Sequence, residues 1–311
     1  VTRFIGADEM AGTGVVVRVI DALGEVFADL AAGTTRSPSR TVVEHGADRQ
    51  LLAGTAIWER YGVGSVKITT LTPSNPERGL PLIHGVVVVT DLETGRVSAL
   101  LDGAELTAVR TGAVAGLATR LCAPADAAEL AVIGAGVQAR ALVRAVSAVR
   151  PIRVVRVHSR TAARTDAFAE WVRAEFGHEV RICASARAAV ADAPVICTAT
   201  STSGPVPVVE ADWVAPGAHV NVIGGTDENA VEVDPVLLGA AFVLVEERDA
   251  ALEDAGEVRA AVGAARLAPA DLHELGAVVT AGYTPDGRTT VFRGVGMAIE
   301  DTAAAAALVR G

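Results

Sequence analysis

A chain of 311 residues, half of them apolar, can bury a large core and supply about two domains, which excludes a disordered segment or a small disulfide-stapled scaffold. Its 27 basic and 37 acidic residues leave a formal charge of −10, and no block of Lys or Arg offsets it, so nucleic acid and anionic membrane surfaces are repelled. Cys122, Cys183 and Cys197 form no CxxC pair and sit in apolar stretches, as thiols of a reducing compartment do. No basic and apolar leader pattern follows Val1, and no uncharged run approaches the roughly 20 residues that span a bilayer. The expectation is a cytoplasmic protein.

From Ser39 to Leu101 short apolar runs are bounded by turn residues. Val86–Val89 faces Val97–Leu101 across Asp91-Leu92-Glu93-Thr94-Gly95, which reads as a hairpin in a mostly antiparallel sheet. Gly103 to Leu121 has helical spacing. Strands and helices then alternate: 129–133, helix 137–149, 153–158, helix 161–176, 179–183, helix 185–191 and 194–199. That alternation indicates βαβ units and a parallel sheet covered on both faces. Further strands are expected at 219–223, 241–245 and 289–292, and a last, Ala-rich helix at Met297–Val309. Asp254 and Glu257 read as a solvated helical face. The expected fold is α/β: a Rossmann-like doubly wound parallel sheet at 113–288 plus an N-terminal α+β substrate-binding and dimerisation domain at 1–112, completed by a strand and helix at 289–311.

Gly134-x-Gly136-x-x-Ala139 directly follows the apolar strand ending at Ile133 and opens a helix. In that setting glycines allow a tight turn and close backbone approach, and the helix N-terminus offers free N–H groups to a pyrophosphate. Gly134, Ala135, Gly136, Val137 and Gln138 are therefore candidate dinucleotide contacts. A carboxylate at the end of the second strand would select NAD by binding the ribose 2′-hydroxyl. Here that strand ends in His158-Ser159-Arg160-Thr161, with no carboxylate before Asp166. Ser159, Arg160 and Thr161 suit a 2′-phosphate, because a guanidinium offers it several charged donors at once. NADP is expected over NAD, with NAD still possible. Thr198 and Thr200 end a strand at the carboxyl edge, where an open parallel sheet binds its ligand.

Several separated segments, in order, resemble the ornithine cyclodeaminase/mu-crystallin family. They are Lys67 with Pro73-Ser74-Asn75-Pro76, Gly79-Leu80-Pro81, Leu101-Asp102-Gly103, Thr107 to Ala113, Val132 to Ala139, Pro216-Gly217-Ala218-His219, and Val295 to Asp301. The resemblance runs from about Arg40 to Ala307. It implies a homodimer whose N-terminal sheets pair, with a small amino or imino acid bound between that domain and the nicotinamide. It places Arg40, Lys67 and Arg110 around the substrate carboxylate and reacting carbon, with Arg110 near the cofactor as well. Thr198, Thr200, Ile223 and Gly296 fall at cofactor positions. His84 borders the substrate or is a structural histidine.

The chemistry of those residue types agrees with the resemblance. Hydride delivery to an imine carbon beside a carboxylate needs an anion clamp, which a planar Arg fork supplies, and a lysine can hand a proton to the nitrogen. One departure matters. Ornithine-cyclising members carry an aspartate directly after the glycine pair matching Gly224-Gly225, whereas this chain has Thr226, with Asp227 one place later. The reading is therefore NADPH-dependent reduction of a small α-imino acid, or the reverse amino-acid dehydrogenation, with Lys67 catalytic and Arg40, Arg110, Thr226 and His84 on the substrate. Redox-neutral cyclodeamination of ornithine or lysine with recycled NAD, and a ligand-binding protein that keeps its NADPH site without turnover, remain as alternatives. No histidine or cysteine spacing marks a metal site.

Overall fold

The computed structural model describes residues 2–46, 49–225 and 229–310, so Thr226 and Asp227 lie outside the described residues. In chain order the first elements are β1 (Arg3–Ile5), α1 (Ala7–Met10), α2 (Thr13–Ala31), β2 (Thr35–Arg36), β3 (Thr41–His45), β4 (Arg49–Trp58), β5 (Val63–Leu71), β6 (Ile83–Asp91), β7 (Val97–Asp102) and α3 (Gly103–Cys122). The βα series follows: β8 (Glu129–Ile133), α4 (Val137–Val149), β9 (Val154–His158), α5 (Ala162–Phe176), β10 (Glu179–Ile182), α6 (Ala186–Val190), β11 (Val195–Thr198) and β12 (His219–Val222). The remainder is α7 (Pro235–Ala240), β13 (Phe242–Val245), α8 (Arg248–Asp254), α9 (Gly256–Gly263), β14 (Leu272–Glu274), α10 (Leu275–Ala281), β15 (Thr290–Arg293) and α11 (Ala298–Arg310). Two compact units result, Val1–Arg110 with Gly296–Gly311, and Thr111–Val295. Among the described residues no helix is long and apolar enough to cross a membrane.

The first unit is built on a sheet ordered β1-β7-β6-β5-β4-β2, with β3 also on β4. All its pairings are antiparallel except β1 with β7. The predicted hairpin is β6–β7: Asp91 Oδ1 accepts from Thr94 N and Oγ1 at 2.8 and 2.6 Å, and Gly95 takes a φ of +69°. Such an Asx-type turn with a left-handed glycine reverses the chain without strain. One sheet face is covered by α11, whose alanines Ala303–Ala306 are buried. Small side chains let the helix backbone settle close, and an added Cβ at Gly54 would stand 3.2 Å from that of Ala298. Helix α2, amphipathic and buried along Val19, Ile20, Leu23, Val26 and Phe27, has no counterpart among the elements expected from the sequence. The opposite sheet face leaves Val43, Leu51, Ile57 and Ile68 exposed.

The second unit holds one parallel sheet of order β10-β9-β8-β11-β12-β15-β13-β14. Its inner strands β11, β12, β13 and β15 are buried at every position, the mark of strands covered on both faces. Short helices are started by local caps: Ser185 accepts from Ala188 N at 3.1 Å ahead of α6, and Asp234 accepts from Val236 N at 2.9 Å ahead of α7, where Pro235 fills the first turn. One expectation is overturned. The strand at 289–292 does not complete the N-terminal domain, because β15 inserts between β12 and β13. Four consecutive buried residues fit an interior sheet position, and only the chain from Gly296 onward joins the first unit.

Candidate active site

In the first unit, Lys67 projects from β5, Arg110 from α3, and Glu300 and Asp301 from the first turn of α11. Lys67 Nζ lies 2.7 Å from Asp301 Oδ2 and 3.4 Å from Thr107 Oγ1. Arg110 Nη1 donates to Glu300 Oε2 at 2.7 Å, and its Nε stands 3.4 Å from Asp301 Oδ1. All four side chains are largely or wholly withdrawn from water, with Glu300 and Asp301 at 0% and 1% exposure. Two buried carboxylates could not sit in an alanine helix unless cations faced them. Burial pulls Lys67 below the ordinary lysine range, with Asp301 opposing and Arg110 reinforcing that shift.

Local structure aims these groups. Asp102 caps α3 by accepting from Ala104 N and Glu105 N at 2.9 Å each, which fixes the helix that carries Thr107 and Arg110. Gly103 has no room for a side chain, since a Cβ would lie 2.6 Å from the Gly85 carbonyl carbon on β6. Gly296, with φ +85°, is glycine for a similar reason: a Cβ would come within 2.6 Å of Arg110 Nη1. Arg40 lies exposed just ahead of β3, and His84 is exposed on β6. The structure thus brings Lys67 and Arg110 together, on an anchor of Glu300 and Asp301 to which the sequence reading gave no role. The signal was present as an acidic pair opening a helix that is otherwise apolar and rich in alanine.

The second unit places the glycine turn at the end of β8, beside β11, where the strand order reverses direction. That switch point is where open α/β sheets bind their ligands. Gly134 has φ +116°, and an added Cβ would overlap the Ala199 carbonyl oxygen. A Cβ at Gly136, the N-cap of α4, would meet nothing within 4 Å, so open space lies at the start of that helix. Ala135 is half-buried and Val137 is exposed there. Gln138 Oε1 is buried with no hydrogen-bond partner among the described residues. A bared helix N-terminus with space beside it fits a dinucleotide pyrophosphate.

Around this turn, Arg160 Nη2 donates to Ser201 Oγ at 3.2 Å, Ser159 Oγ pairs with Thr165 Oγ1 at 2.8 Å, and Thr161 is the exposed N-cap of α5. Thr198 is fully buried, its hydroxyl 2.7 Å from Glu232 Oε2, while half-buried Thr200 gives both its N–H and its hydroxyl to Glu232 Oε1. Ile223 is half-buried and extends from β12, its N–H bonded to the Thr198 carbonyl at 3.0 Å. Glu257 corrects the solvated-face reading. It is completely buried on α9, 3.3 Å from Arg293 Nε, and burial pushes its carboxyl up to about 7 despite that cation. Its periodicity alone could not show that α9 is covered on this side.

The family model of the ornithine cyclodeaminase/mu-crystallin family matches residues 3–310. The chain belongs to this family. A Delta(1)-pyrroline-2-carboxylate reductase of Bacillus cereus is 34% identical over 279 residues, covering 88% of this chain and 85% of the relative. The mouse (Mus musculus) ketimine reductase mu-crystallin is 32% identical over 305 residues, with 96% and 92% covered. Among solved structures, the Thermococcus litoralis Delta(1)-pyrroline-2-carboxylate reductase, in complex with NADH and L-proline, matches with a TM-score of 0.92 at 28% identity, covering 99% of this chain and 97% of that one. A lysine cyclodeaminase matches at 0.85 and 30%, with 99% and 92% covered.

Proposed function

We propose that this protein reduces a small α-imino acid to the amino acid, or runs the reverse dehydrogenation, with NADPH preferred over NADH. The observation that carries the reading is the buried Lys67–Arg110 pair on its Glu300–Asp301 anchor, in a chain whose relatives are named imine reductases. Gly134, Gly136 and the first turn of α4 would hold the pyrophosphate, and the bound dinucleotide would supply a hydride. The chain's own residues do the rest. Arg110, with Arg40, receives the substrate carboxylate, because a guanidinium matches it with parallel charged donors. Lys67 Nζ holds the proton for the substrate nitrogen, and its lowered pKa eases that transfer. In sum, one C=N bond becomes C–H and N–H.

The NADPH preference rests on Arg160, Ser159 and Thr161 at the end of β9 and on the absence of a carboxylate there. Loss of a charge-assisted contact costs about 1.5–3 kcal/mol, so Arg160→Ala weakens NADPH by about one to two orders of magnitude and NADH little. Equal loss for both cofactors in binding titrations removes the 2′-phosphate argument. A cytoplasmic homodimer is part of the same reading, with Val43, Leu51, Ile57 and Ile68 as its apolar contact face.

The experiment that tests the reaction is a screen of cyclic imines, and of α-keto acids with ammonia or amines, following NADPH absorbance. Stoichiometric oxidation with appearance of the amino acid supports the proposal. Ornithine is expected to remain uncyclised, because Thr226 cannot carry the charge that managing the substrate amine demands. Proline and ammonia released from ornithine at constant cofactor would identify a cyclodeaminase instead. Tight ligand binding without turnover of any substrate would identify a binding protein.

A further inference from the structure

Glu232, in the segment between β12 and α7, has 0% exposure and no apolar or solvent-facing role. Its carboxylate accepts four hydrogen bonds. Oε1 takes Thr200 N at 2.6 Å and Thr200 Oγ1 at 2.7 Å, and Oε2 takes Thr198 Oγ1 at 2.7 Å and Gly224 N at 2.6 Å. An ionised carboxylate is acceptor-only with about four lone-pair positions, so every one is used. The residue's own backbone is pinned too, its carbonyl accepting from Val208 N and Val209 N at 2.9 and 3.0 Å.

The groups it gathers lie at or just past the carboxyl ends of β11 and β12. Gly224 is glycine because a Cβ would overlap the Glu232 carboxylate and the Thr200 carbonyl. Gly134 in turn leans on Ala199, between the two threonines that Glu232 holds. On the same edge the complementary job falls to Arg293, fully buried on β15, which donates to the carbonyls of Val222, Gly225 and Gly294 at 3.3, 3.2 and 2.9 Å. Backbone donors go to the carboxylate and backbone acceptors to the guanidinium. Loop ends that would otherwise need water are thereby fixed in a dry interior.

We infer that Glu232 is a positioning residue for the dinucleotide: it sets the turn against which Gly134 rests, and so the width of the cradle, without touching the cofactor. This rests on the dinucleotide reading of that cradle. Glutamine is the decisive probe, being nearly isosteric while turning one acceptor into an NH₂ that faces two donors. The effect on binding is separated from any loss of stability by a control in the apolar core cluster, which contains Leu238.

The test is fluorescence titration of NADPH and NADH against wild type, Glu232→Gln, Glu232→Asp, Thr200→Val and, as a core control, Leu238→Ala, each well below its unfolding midpoint. Wild-type binding comes first. If neither dinucleotide binds, the cradle reading itself fails, separately from this inference. Given wild-type binding, Glu232→Gln should raise Kd at least tenfold, Glu232→Asp less because the charge survives, and Leu238→Ala less than twofold despite a comparable loss of Tm. Should Glu232→Gln not fold, Thr200→Val, which removes one of the four donors, should still raise Kd about threefold or more. Kd within twofold of wild type in Glu232→Gln, or in Thr200→Val where the former is unfolded, overturns the assignment. So does a Leu238→Ala variant that loses affinity in proportion to its Tm.

Discussion

His219 begins β12 inside a fully buried polar string. Its Nδ1 pairs with Thr290 Oγ1 at 2.8 Å and its Nε2 with Asn221 Oδ1 at 3.1 Å. Asn221 Nδ2 donates to Thr119 Oγ1 at 2.9 Å, and Thr119 to the Ala115 carbonyl at 2.8 Å. Asn221 thus offers its oxygen to a proton on Nε2, and in the neutral ring Nδ1 accepts from the Thr290 hydroxyl. Burial pushes its pKa down to about 4 from an ordinary 6.5. The unfolded chain takes up the proton first, so the stability this ring contributes is complete above about pH 6.5 and is lost as pH falls to about 4. At about 1.4 kcal/mol per unit the full loss is about 3 kcal/mol, most of it reached by about pH 4.5.

His219→Gln removes that titration while keeping a donor toward Asn221. At neutral pH it should cost about 1–3 kcal/mol, because Thr290 loses its acceptor. Toward about pH 4.5 the gap should close by about 2–3 kcal/mol. Glu257 slopes the other way, its carboxyl raised to about 7 so that its contribution grows on acidification, but it is common to both proteins and cancels in the difference. Urea midpoints of both proteins between about pH 7.5 and about pH 4.5 measure it. A gap independent of pH would refute the buried neutral imidazole.

Lys67→Met should remove most turnover and leave NADPH affinity nearly unchanged, and the alkaline limb of wild-type kcat should fall below the ordinary lysine value of 10.5; near-normal kcat in the variant contradicts the proton role. Gly134→Ala should abolish dinucleotide binding in titrations, since it strains a φ of +116° and drives a methyl into the Ala199 carbonyl, and retained affinity would show that the turn can open. In Glu257→Gln, stability relative to wild type should rise as pH increases from about 4.5 to about 7, because the wild-type carboxyl must ionise in a buried site; a fall over that window would mean that the Arg293 pair outweighs desolvation.

Legibility in the sequence followed the range of the forces involved. The glycine turn, the βα alternation, the β6–β7 hairpin and the missing carboxylate after β9 are local, fixed by sterics and by side-chain periods of two and 3.6 residues, and all could be read directly. Lys67 and Arg110 could be named from their motifs. What steadies them could not, because Glu300 and Asp301 arrive from 190 or more residues away and become partners only when α11 closes on the sheet. β15 was assigned to the wrong unit for a related reason. A four-residue buried strand looks the same at any slot of a parallel sheet, and its slot between β12 and β13 is decided by pairing with strands far along the chain. Glu232 and Glu257 show the limit most plainly: a lone carboxylate carries no local mark of burial, and only the tertiary fold, by excluding water, turns one into a four-fold hydrogen-bond acceptor and the other into a buried acid.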